Sequence, residues 1–580
     1  NTIFKDIVIS IDPYTSVNEA IDQQEIINWS KDVEKANSIT IAQAATELQT
    51  HFHLLGKNVR LLKYDKKNID NNIVMITRAH ILSNHDNIAD NINFNHLGDQ
   101  GFVIFPHSNS IYISANTRIG LLYGAYEILK KMGFSWYNPI ETIVPKKVIE
   151  NPDYYKSTKK PFVRFRGFWM YPDDNLPEEY VFWLARNRLN IAGKMKAHLA
   201  KKFGIKRWGG GHHLIQEEFS NKDLFKEHPD WYSLYNGKRI PVSATKQNYV
   251  NPAFSNQEAA DYFSKRLIQR LDKGDLEFFD VLNVWPSDTR KGITDQSHLA
   301  KLVGNFTDTV LYFNFSIAEN LKKAYEVGKL ARKVLLYGIS YHMTMEPPTN
   351  RAVIRKLQSL DNYIHIFYPS TRDWSFPINS KTEVSTANEK FRINVNEWKK
   401  RANFAFGLVD YNNKRNYAGL GLSDHINFGS NFDFFFDVEG GLYGYMHPLK
   451  LNPGPLQLTN SLISELCWKD PAENAQKISA EVISNYFRKR YGKYQYEWKH
   501  IYDEMMRSVS NVKNIFGSES LSYVLFQNVY WKVPKYSDEN KIAEFISRYR
   551  QGDIQDLPNG FYHEKTSRIK TEFIGLDESI

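Results

Sequence analysis

The sequence predicts an α/β fold: a (β/α)8 barrel of the TIM type between a small N-terminal α+β domain and a helical C-terminal domain. Apolar runs alternate with helical segments over about 290 residues, which is the size of such a barrel. Strand-like and helix-like runs also alternate in the first 150 residues, whereas helical periodicity dominates after residue 455. The chain has 580 residues, 42% of them apolar, enough for several domains with sizeable cores.

The predicted N-terminal domain covers residues 1–150. "DIVISID" and "NIVMIT" have the composition of strands, and the polar centre of "GFVIFPHSNSIYISA" predicts a hairpin. "TRIGLLYGAYEILKKMG" has apolar residues at helical spacing, and Gly133 is placed to end that helix. This domain is therefore expected to be a small α+β unit.

The predicted barrel covers residues 160–450. The intervening segments, such as "QEAADYFSKRLIQRL", are helical in pattern. A doubly wound open sheet is the alternative, but no glycine-rich phosphate loop follows any candidate strand. The candidate strands are 162–170, 189–195, a run within 211–252, 278–285, 333–341, 363–369, 404–411 and 441–447.

The predicted C-terminal domain, residues 455–580, contains at least three amphipathic helical segments. Its "LTNSLISELCW" holds the single cysteine of the chain, Cys467. One cysteine excludes an intrachain disulfide, and apolar neighbours on the same helical face predict that Cys467 is buried and not a nucleophile.

Composition narrows the class of partner. Tyr, Phe and Trp make up 14% of the chain, and aromatic rings offer flat apolar surfaces to the C–H faces of sugars. The net charge of +9 is spread along the chain without a basic run or a nucleic-acid-binding motif. A mild positive field suits an anionic substrate. We expect no nucleic-acid partner, and no apolar stretch reaches the ~20 residues that span a bilayer.

Three acidic residues follow candidate barrel strands. Chemistry in such barrels lies at the carboxyl ends of the strands, where the loops converge. Asp288 in "NVWPSDTRKG" follows the fourth strand, Glu346 in "SYHMTMEPP" the fifth and Asp410 in "LVDYNN" the seventh. Two facing carboxyl groups hydrolyse glycosidic bonds when ~5–5.5 Å apart (retaining) or ~6.5–9.5 Å apart (inverting). We predict Asp288 as general acid/base, Asp410 as nucleophile or second carboxylate, and Glu346 as reserve for either role.

Other polar and aromatic side chains near the strand ends are candidates for binding a sugar. Adjacent histidines on an extended segment point to opposite sides, so His212 and His213 make a poor metal pair, and we predict neither a metal nor another cofactor. Zinc, Walker, EF-hand and G-x-S-x-G motifs are absent from the sequence. The predicted substrate-binding residues are Trp285, His212, His213, Tyr341, His342, Arg372, Trp374, Tyr411 and His447.

Several segments together resemble a known family. "GLLYGAYEILKKMGFSWYNPIETIVPK" resembles the end of the N-terminal domain of hexosaminidase-like and α-glucuronidase-like glycoside hydrolases. The succession of "GGGHHL", "FKEHPDWYSLYNGKR", "NYVNPAF", "NVWPSD", "LLYGISYHMTMEPP" and "LVDYNN" resembles bacterial proteins with domain of unknown function 4838. Glycoside hydrolase family 163, endo-β-N-acetylglucosaminidases of complex N-glycans, belongs to that group.

The resemblance implies a glycan-degrading enzyme of Bacteroidetes type that is secreted, periplasmic or at the cell surface. The aspartates of "WPSD" and "VDY" map to Asp288 and Asp410. The sequence therefore predicts a glycoside hydrolase of a complex or anionic oligosaccharide or polysaccharide. The alternatives are an endo-β-N-acetylglucosaminidase acting on N-glycans, a non-catalytic glycan-binding protein and a polysaccharide lyase.

Overall fold

The structure is a computed structural model that describes residues 4–65, 69–84, 92–107, 109–169, 175–235, 237–239, 241, 251–287, 293–294, 298–369, 376–380, 386–402, 405–410, 425–436, 444–448, 457–470 and 472–516. A six-stranded sheet, a closed eight-stranded barrel and a group of C-terminal helices follow one another along these residues. The fold class predicted from the sequence is confirmed.

The N-terminal part is an α/β unit. Its strands are β1 (Asp6–Ile9), β2 (Arg60–Lys63), β3 (Ile73–Thr77), β4 (Phe102–His107), β5 (Ser110–Ala115), β6 (Ser135–Asn138), β7 (Glu141–Ile143) and β8 (Ser157–Lys159). The main sheet has the order β2-β1-β3-β5-β4-β8, while β6 and β7 form a separate pair. Its helices are α1 (Val17–Asp22), α2 (Val33–Leu54), α3 (Arg78–Asn84), α4 (Phe94–Leu97) and α5 (Arg118–Met132). Helix α5 ends at Gly133 as predicted, with φ of 111°.

Eight parallel strands form the barrel. They are β9 (Phe165–Trp169), β10 (Ile191–Ala192), β11 (Lys206–Gly211), β14 (Val281–Val284), β16 (Leu335–Ser340), β17 (Tyr363–Phe367), β18 (Phe406–Val409) and β19 (Gly444–Pro448). The last strand, β19, pairs with the first, β9, and closes the barrel. Its surrounding helices are α6 (Glu178–Arg186), α7 (Ala197–Phe203), α8 (His212–Phe219), α9 (Lys222–Glu227), α10 (Gln257–Lys273), α11 (His298–Val303), α12 (Phe306–Glu326), α13 (Arg351–Gln358), α14 (Thr386–Arg401) and α15 (His425–Phe436).

Two of the loops at the carboxyl ends of the strands are joined by a small antiparallel sheet. It consists of β12 (Leu234–Tyr235), β13 (Lys238–Arg239) and β15 (Ile293–Thr294), with β12 in the centre. Because β12 follows barrel strand β11 and β15 follows β14, this sheet ties together the loops of two neighbouring strands.

The third barrel strand was misplaced by the sequence analysis. The prediction put it within 211–252, whereas the structure has it at Lys206–Gly211, "KRWGGG". Glycine disfavours strands because it offers no side chain to pack, so the three glycines indicated a loop. Here they let the strand pass close to its neighbours: a Cβ on Gly209 would lie 2.4 Å from the ring of Phe279.

Within the described residues, the helices that follow the barrel are α16 (Gln457–Leu466), α17 (Ala475–Tyr491) and α18 (Gln495–Phe516). Cys467, directly after α16, is fully buried, and burial raises the pKa of its thiol to about 12. A thiol with this pKa is protonated at neutral pH, in agreement with the predicted packing role.

A buried ion cluster joins the three parts of the chain. Glu127 on α5 accepts hydrogen bonds at 2.7 Å from Arg188, in the turn after α6, and from Lys159 in β8. The Arg188 guanidinium also lies 3.7 Å from Glu465 on α16 and stacks over the Trp468 ring. Glu127 and Arg188 are each only 2% exposed at the side chain, so this cluster is part of the core.

Candidate active site

Five successive barrel strands each end next to a polar or aromatic residue. His212 follows β11, Trp285 follows β14, Tyr341 follows β16, Tyr368 follows β17 and Asp410 follows β18. Parallel strands bring their carboxyl ends to one side of a barrel. The five residues therefore stand around one mouth, which is the candidate active site.

Alternation along the strands accounts for the aromatic residues of this group. In β16 and β17, Tyr337, Ile339, Ile364 and Ile366 belong to the cluster inside the barrel, whereas Leu336 and Phe367 belong to the core outside it. Continuing the period of two past the last strand residue brings Tyr341 and Tyr368 to the inner side, and both belong to the inner cluster.

The inner aromatic rings form a connected base to the mouth. The Tyr368 ring lies 5.2 Å from that of Tyr341, edge to face, and 5.8 Å from that of Trp285. The Trp285 ring in turn lies 6.5 Å from that of Trp208. These four rings are only 2–8% exposed, so they form a packed, rigid floor beneath the mouth.

The glycine run "GGG" determines where His212 stands. Gly210 and Gly211 have φ of 97° and 134°, values that favour glycine, and helix α8 begins immediately after them at His212. The two histidines thus occupy the first positions of a helix, and the extended segment assumed in the sequence analysis is wrong. His213 is exposed, whereas His212 is half-buried against the Trp285 ring at 5.7 Å.

His212 also contacts the segment that leads to Asp288. Its Nδ1 is hydrogen-bonded to the carbonyl oxygen of Pro286. Because a carbonyl can only accept, Nδ1 carries the proton, and in the neutral ring Nε2 is then the acceptor.

The backbone of this segment is held by a buried amide. The N–H of Ser287 donates to Oδ1 of Asn251 at 2.7 Å, and Asn251 is fully buried. Trp285 and Ser287 are 3% and 6% exposed. Asp288 itself lies outside the described residues.

The loop after β16 is strained. His342 has φ of 49°, a left-handed conformation that non-glycine residues rarely adopt, and its ring lies 3.7 Å from that of Tyr341. Thr344 fixes the turn by accepting the N–H of Tyr341 at 2.9 Å. Strain of this kind concentrates at functional sites.

A cleft lies between this loop and the segment before Asp288. Its volume is about 270 Å³ when the space open to bulk solvent is included. It is lined by Pro286, Ser287, Phe306, Ile339, Tyr341, His342, Met343 and Thr344.

The carboxylates described by the structure differ in position. Asp410 is 2% exposed and directly follows the last residue of β18. Glu346 is exposed, its carbonyl accepts a hydrogen bond from Thr307, and it is not among the residues that line the cleft. Asp410 does not line this cleft either, so the preference for Asp410 over Glu346 rests on its burial and on its place directly after a barrel strand.

The remaining predicted residues are placed only in part. His447 lies within β19, in register with Phe168. Arg372, Trp374 and Tyr411 lie outside the described residues, as does Asp288. In the part of the chain that the structure covers, no group of three or more His, Cys, Asp or Glu side chains is arranged to hold a metal ion.

Two residues of the site were not found from the sequence. Tyr368 follows the strand "YIHIF" at the next inward position, so the period of two was a usable signal. Asn251 gave no such signal, since it reaches Ser287 across 36 positions of sequence.

Two other buried ionisable groups belong to the framework of the barrel. Asp280, at the amino end of β14, is paired with Lys201, Arg207 and Arg332, opposite to the mouth. His365 in β17 bonds Ser340 and the hydroxyl of Tyr363, and burial lowers its pKa to about 3. His365 is therefore neutral at physiological pH and packs as part of the outer core.

Comparison with protein families agrees with this architecture. Residues 136–500 match the model described as "Domain of unknown function (DUF4838)". The chain belongs to the DUF4838 family. Residues 13–128 of this family member match the glycosyl hydrolase family 67 N-terminus, so the resemblance found in the sequence is confirmed. No curated protein sequence matches the chain significantly.

Solved structures similar to this DUF4838 member are glycoside hydrolases at low identity. A GH138 enzyme targeting pectin rhamnogalacturonan II has a TM-score of 0.50 and 11% identity, covering 87% of this chain and 69% of its own. The GH20 β-N-acetylhexosaminidase of Streptomyces coelicolor has a TM-score of 0.43 and 10% identity over 77% of this chain and 90% of its own. The β-N-acetylhexosaminidase of Bacteroides fragilis has a TM-score of 0.42 and 11% identity, covering 85% of this chain and 92% of its own. At these identities the likeness concerns the fold alone.

Proposed function

We propose that this protein is a glycoside hydrolase that cleaves a complex or anionic glycan with Asp288 and Asp410. The observation that carries the proposal is that the buried Asp410 and the rings of Trp285, Tyr341 and Tyr368 all directly follow strands, at the carboxyl end of a closed parallel barrel. A sugar needs both components: flat apolar surfaces for its C–H face and carboxyl groups at the bond to be broken.

In the proposed reaction, Asp288 donates a proton to the glycosidic oxygen as the bond to the anomeric carbon breaks. Asp410 either attacks that carbon or removes a proton from the attacking water. Asp288 follows the apolar residues Trp285 and Pro286 in the sequence, and apolar surroundings favour the protonated form that a general acid needs. The overall positive charge of the chain suits an acidic or sulfated glycan.

The test is the release of reducing ends from a panel of glycans that includes N-glycans and acidic polysaccharides. We expect Asp288→Asn and Asp410→Asn each to lower kcat by about a hundredfold or more while glycan binding persists. Asp361→Asn changes an exposed aspartate and serves as the matched control. Full activity in Asp410→Asn would exclude the proposed role of this residue.

The same panel separates the other functions. Release of N-glycans by cleavage within their core would identify an endo-β-N-acetylglucosaminidase. Unsaturated products absorbing in the ultraviolet would instead identify a polysaccharide lyase. Binding without turnover by the unaltered protein would identify a glycan-binding protein.

We also propose that the protein is secreted, periplasmic or attached to the cell surface, where a polymeric glycan is accessible. None of the helices in the described part of the chain is long and apolar enough to cross a membrane. Fractionation of the native cells followed by immunoblotting would test this location, and a signal confined to the cytoplasm would contradict it.

A further inference from the structure

Basic and aromatic residues are concentrated where the last two described helices meet. Residues 486–500, "YFRKRYGKYQYEWKH", contain six aromatic residues and five Lys or Arg, with Glu497 as the single acidic residue. The segment spans the end of α17, a 3-10 turn at Gly492–Tyr494 and the start of α18. Gly492 has φ of 58°, which allows the tight turn that brings the two helices together.

The basic residues of this segment fall into two groups. Three of them are engaged in the fold: Lys489 donates to the Gly133 carbonyl and to Ser135, Arg490 pairs with Glu141, and Lys499 pairs with Asp503. The other two are Arg488, which is exposed and bonds Asn485 at 2.9 Å, and Lys493, which is exposed and lies 4.8 Å from the centre of the Tyr494 ring. Among the described residues, no carboxylate forms an ion pair with either of these two.

The aromatic residues at the turn are exposed to an unusual extent. Tyr496, Tyr494 and Trp498 are 77%, 53% and 40% exposed, and they lie within five consecutive residues. The Trp498 ring stacks on that of Tyr491 at 4.7 Å with an interplanar angle of 16°. It is therefore held rigid while its other face remains accessible. Large rings in contact with water are costly, and a group of them marks an interaction surface.

Lys493 lies against the Tyr494 ring, and Trp498 follows Tyr494 by about one helical turn, on the same side. We propose that these three residues, together with Arg488, form an accessory binding surface for an anionic polysaccharide. The rings would stack on the C–H faces of successive sugars, and the two exposed cations would bind their carboxylate or sulfate groups. The choice of a polysaccharide over another polyanion rests on the proposed function, because such a surface would hold the polymer on which the barrel acts.

The surface can be tested with the full chain and polymers that differ in one property. Dextran and dextran sulfate share a backbone and differ in charge, polygalacturonate carries carboxylates instead of sulfates, and polyuridylate is a polyanion without pyranose rings. The test variant is Lys493→Ala/Tyr494→Ala, which removes an exposed cation and the exposed ring that it contacts. Its matched control is Tyr325→Ala/Lys329→Ala, which removes an exposed tyrosine and an exposed lysine at the end of α12.

We expect the full chain to bind dextran sulfate or polygalacturonate, and dextran much more weakly, in affinity electrophoresis. The test variant should bind the anionic polymers about tenfold more weakly, whereas the control variant should bind as the unaltered protein does. A larger loss of affinity for dextran sulfate would indicate a preference for sulfate groups, and a larger loss for polygalacturonate a preference for carboxylates. Equal loss in both double variants would overturn the proposal, since it would mean that the general positive charge of the protein is responsible.

Two further outcomes would assign the surface to another partner and overturn the proposal. One is preferential binding of polyuridylate that depends on the same two residues. The other is a concentration-dependent dimer of the unaltered protein that the test variant abolishes. The Asp410→Asn variant separates this inference from the proposed function, because it should lose turnover but keep polymer binding. The surface variant tests polymer binding alone, so either proposal can be refuted while the other stands.

Discussion

The side-chain oxygen of Asn251 accepts the backbone N–H of Ser287 at 2.7 Å, one residue before the predicted catalytic Asp288. Both side chains are buried, and β15, which follows Asp288 in the sequence, pairs with β12. We therefore predict that Asn251 acts as a positioning residue, because it holds the backbone that leads to Asp288.

We expect Asn251→Ala to lower kcat by about 10- to 100-fold, because small displacements of a catalytic group have effects of this size. The matched control is Asn362→Ala, which removes another fully buried asparagine that bonds a backbone carbonyl away from the mouth. Both variants should lose stability, but only Asn251→Ala should lose turnover per folded molecule. Equal kcat values in the two variants would show that Asn251 is merely structural.

The strained His342 allows its ring and its backbone to be tested separately. Both His342→Gly and His342→Ala remove the ring that contacts Tyr341, so both should weaken glycan binding to a similar degree. Only glycine relieves the left-handed backbone, with φ of 49°. We expect His342→Gly to unfold at higher urea concentration than His342→Ala, with a difference of about 1 kcal/mol. The opposite order of stability would show that the conformation at residue 342 costs nothing.

The buried cluster around Glu127 predicts sensitivity to acid. Burial alone would raise the pKa of Glu127, but Arg188 and Lys159 outweigh burial and hold it well below the usual value of 4.5. As the pH falls through 4.5, the carboxyl group of Glu127 therefore takes up a proton in the unfolded state before it does so in the folded state. Stability from this group is present above pH 4.5 and is lost as the pH falls further.

We expect Arg188→Met to lower the free energy of unfolding by about 3–5 kcal/mol at pH 7, because it leaves Glu127 buried with one partner fewer. In the double variant Glu127→Gln/Arg188→Met the loss should be smaller. Urea denaturation at pH 7 and at pH 4 measures both effects, and the double variant should also show the weaker dependence on pH. Unchanged acid sensitivity in the double variant would rule out Glu127 as its source.

Most of the fold could be predicted from the sequence because its signals are local. Seven of the eight candidate strands overlap an observed barrel strand, since buried parallel strands are continuous apolar runs. The exception, "KRWGGG", has glycines whose purpose is visible only when Phe279 and the turn into α8 are in place. The same holds for the site. Trp285, Tyr341 and Asp410 follow strands directly and became candidates by that rule, whereas Asn251 reaches Ser287 only through a tertiary contact.

Lys399 on α14 is expected to destabilise the folded protein at neutral pH. Its Nζ is buried and has no hydrogen-bond partner within the described part of the chain, and burial lowers its pKa to about 7. Between pH 7 and the usual lysine value of 10.5, the unfolded state binds more protons than the folded state. The contribution of Lys399 to stability therefore rises with pH across this window, and its full cost is present below pH 7.

We expect Lys399→Met to raise the free energy of unfolding at pH 7 by about 1–3 kcal/mol, because an apolar side chain of similar length removes the cost of burying the amine. The gain should shrink at pH 10, where the unaltered folded protein already holds the neutral amine. Lys400→Met replaces the exposed neighbour, which pairs with Glu397, and should change stability by less than about 0.5 kcal/mol at either pH. Urea denaturation at the two pH values measures these differences, and a loss of stability in Lys399→Met at pH 7 would mean that the amine has a compensating partner.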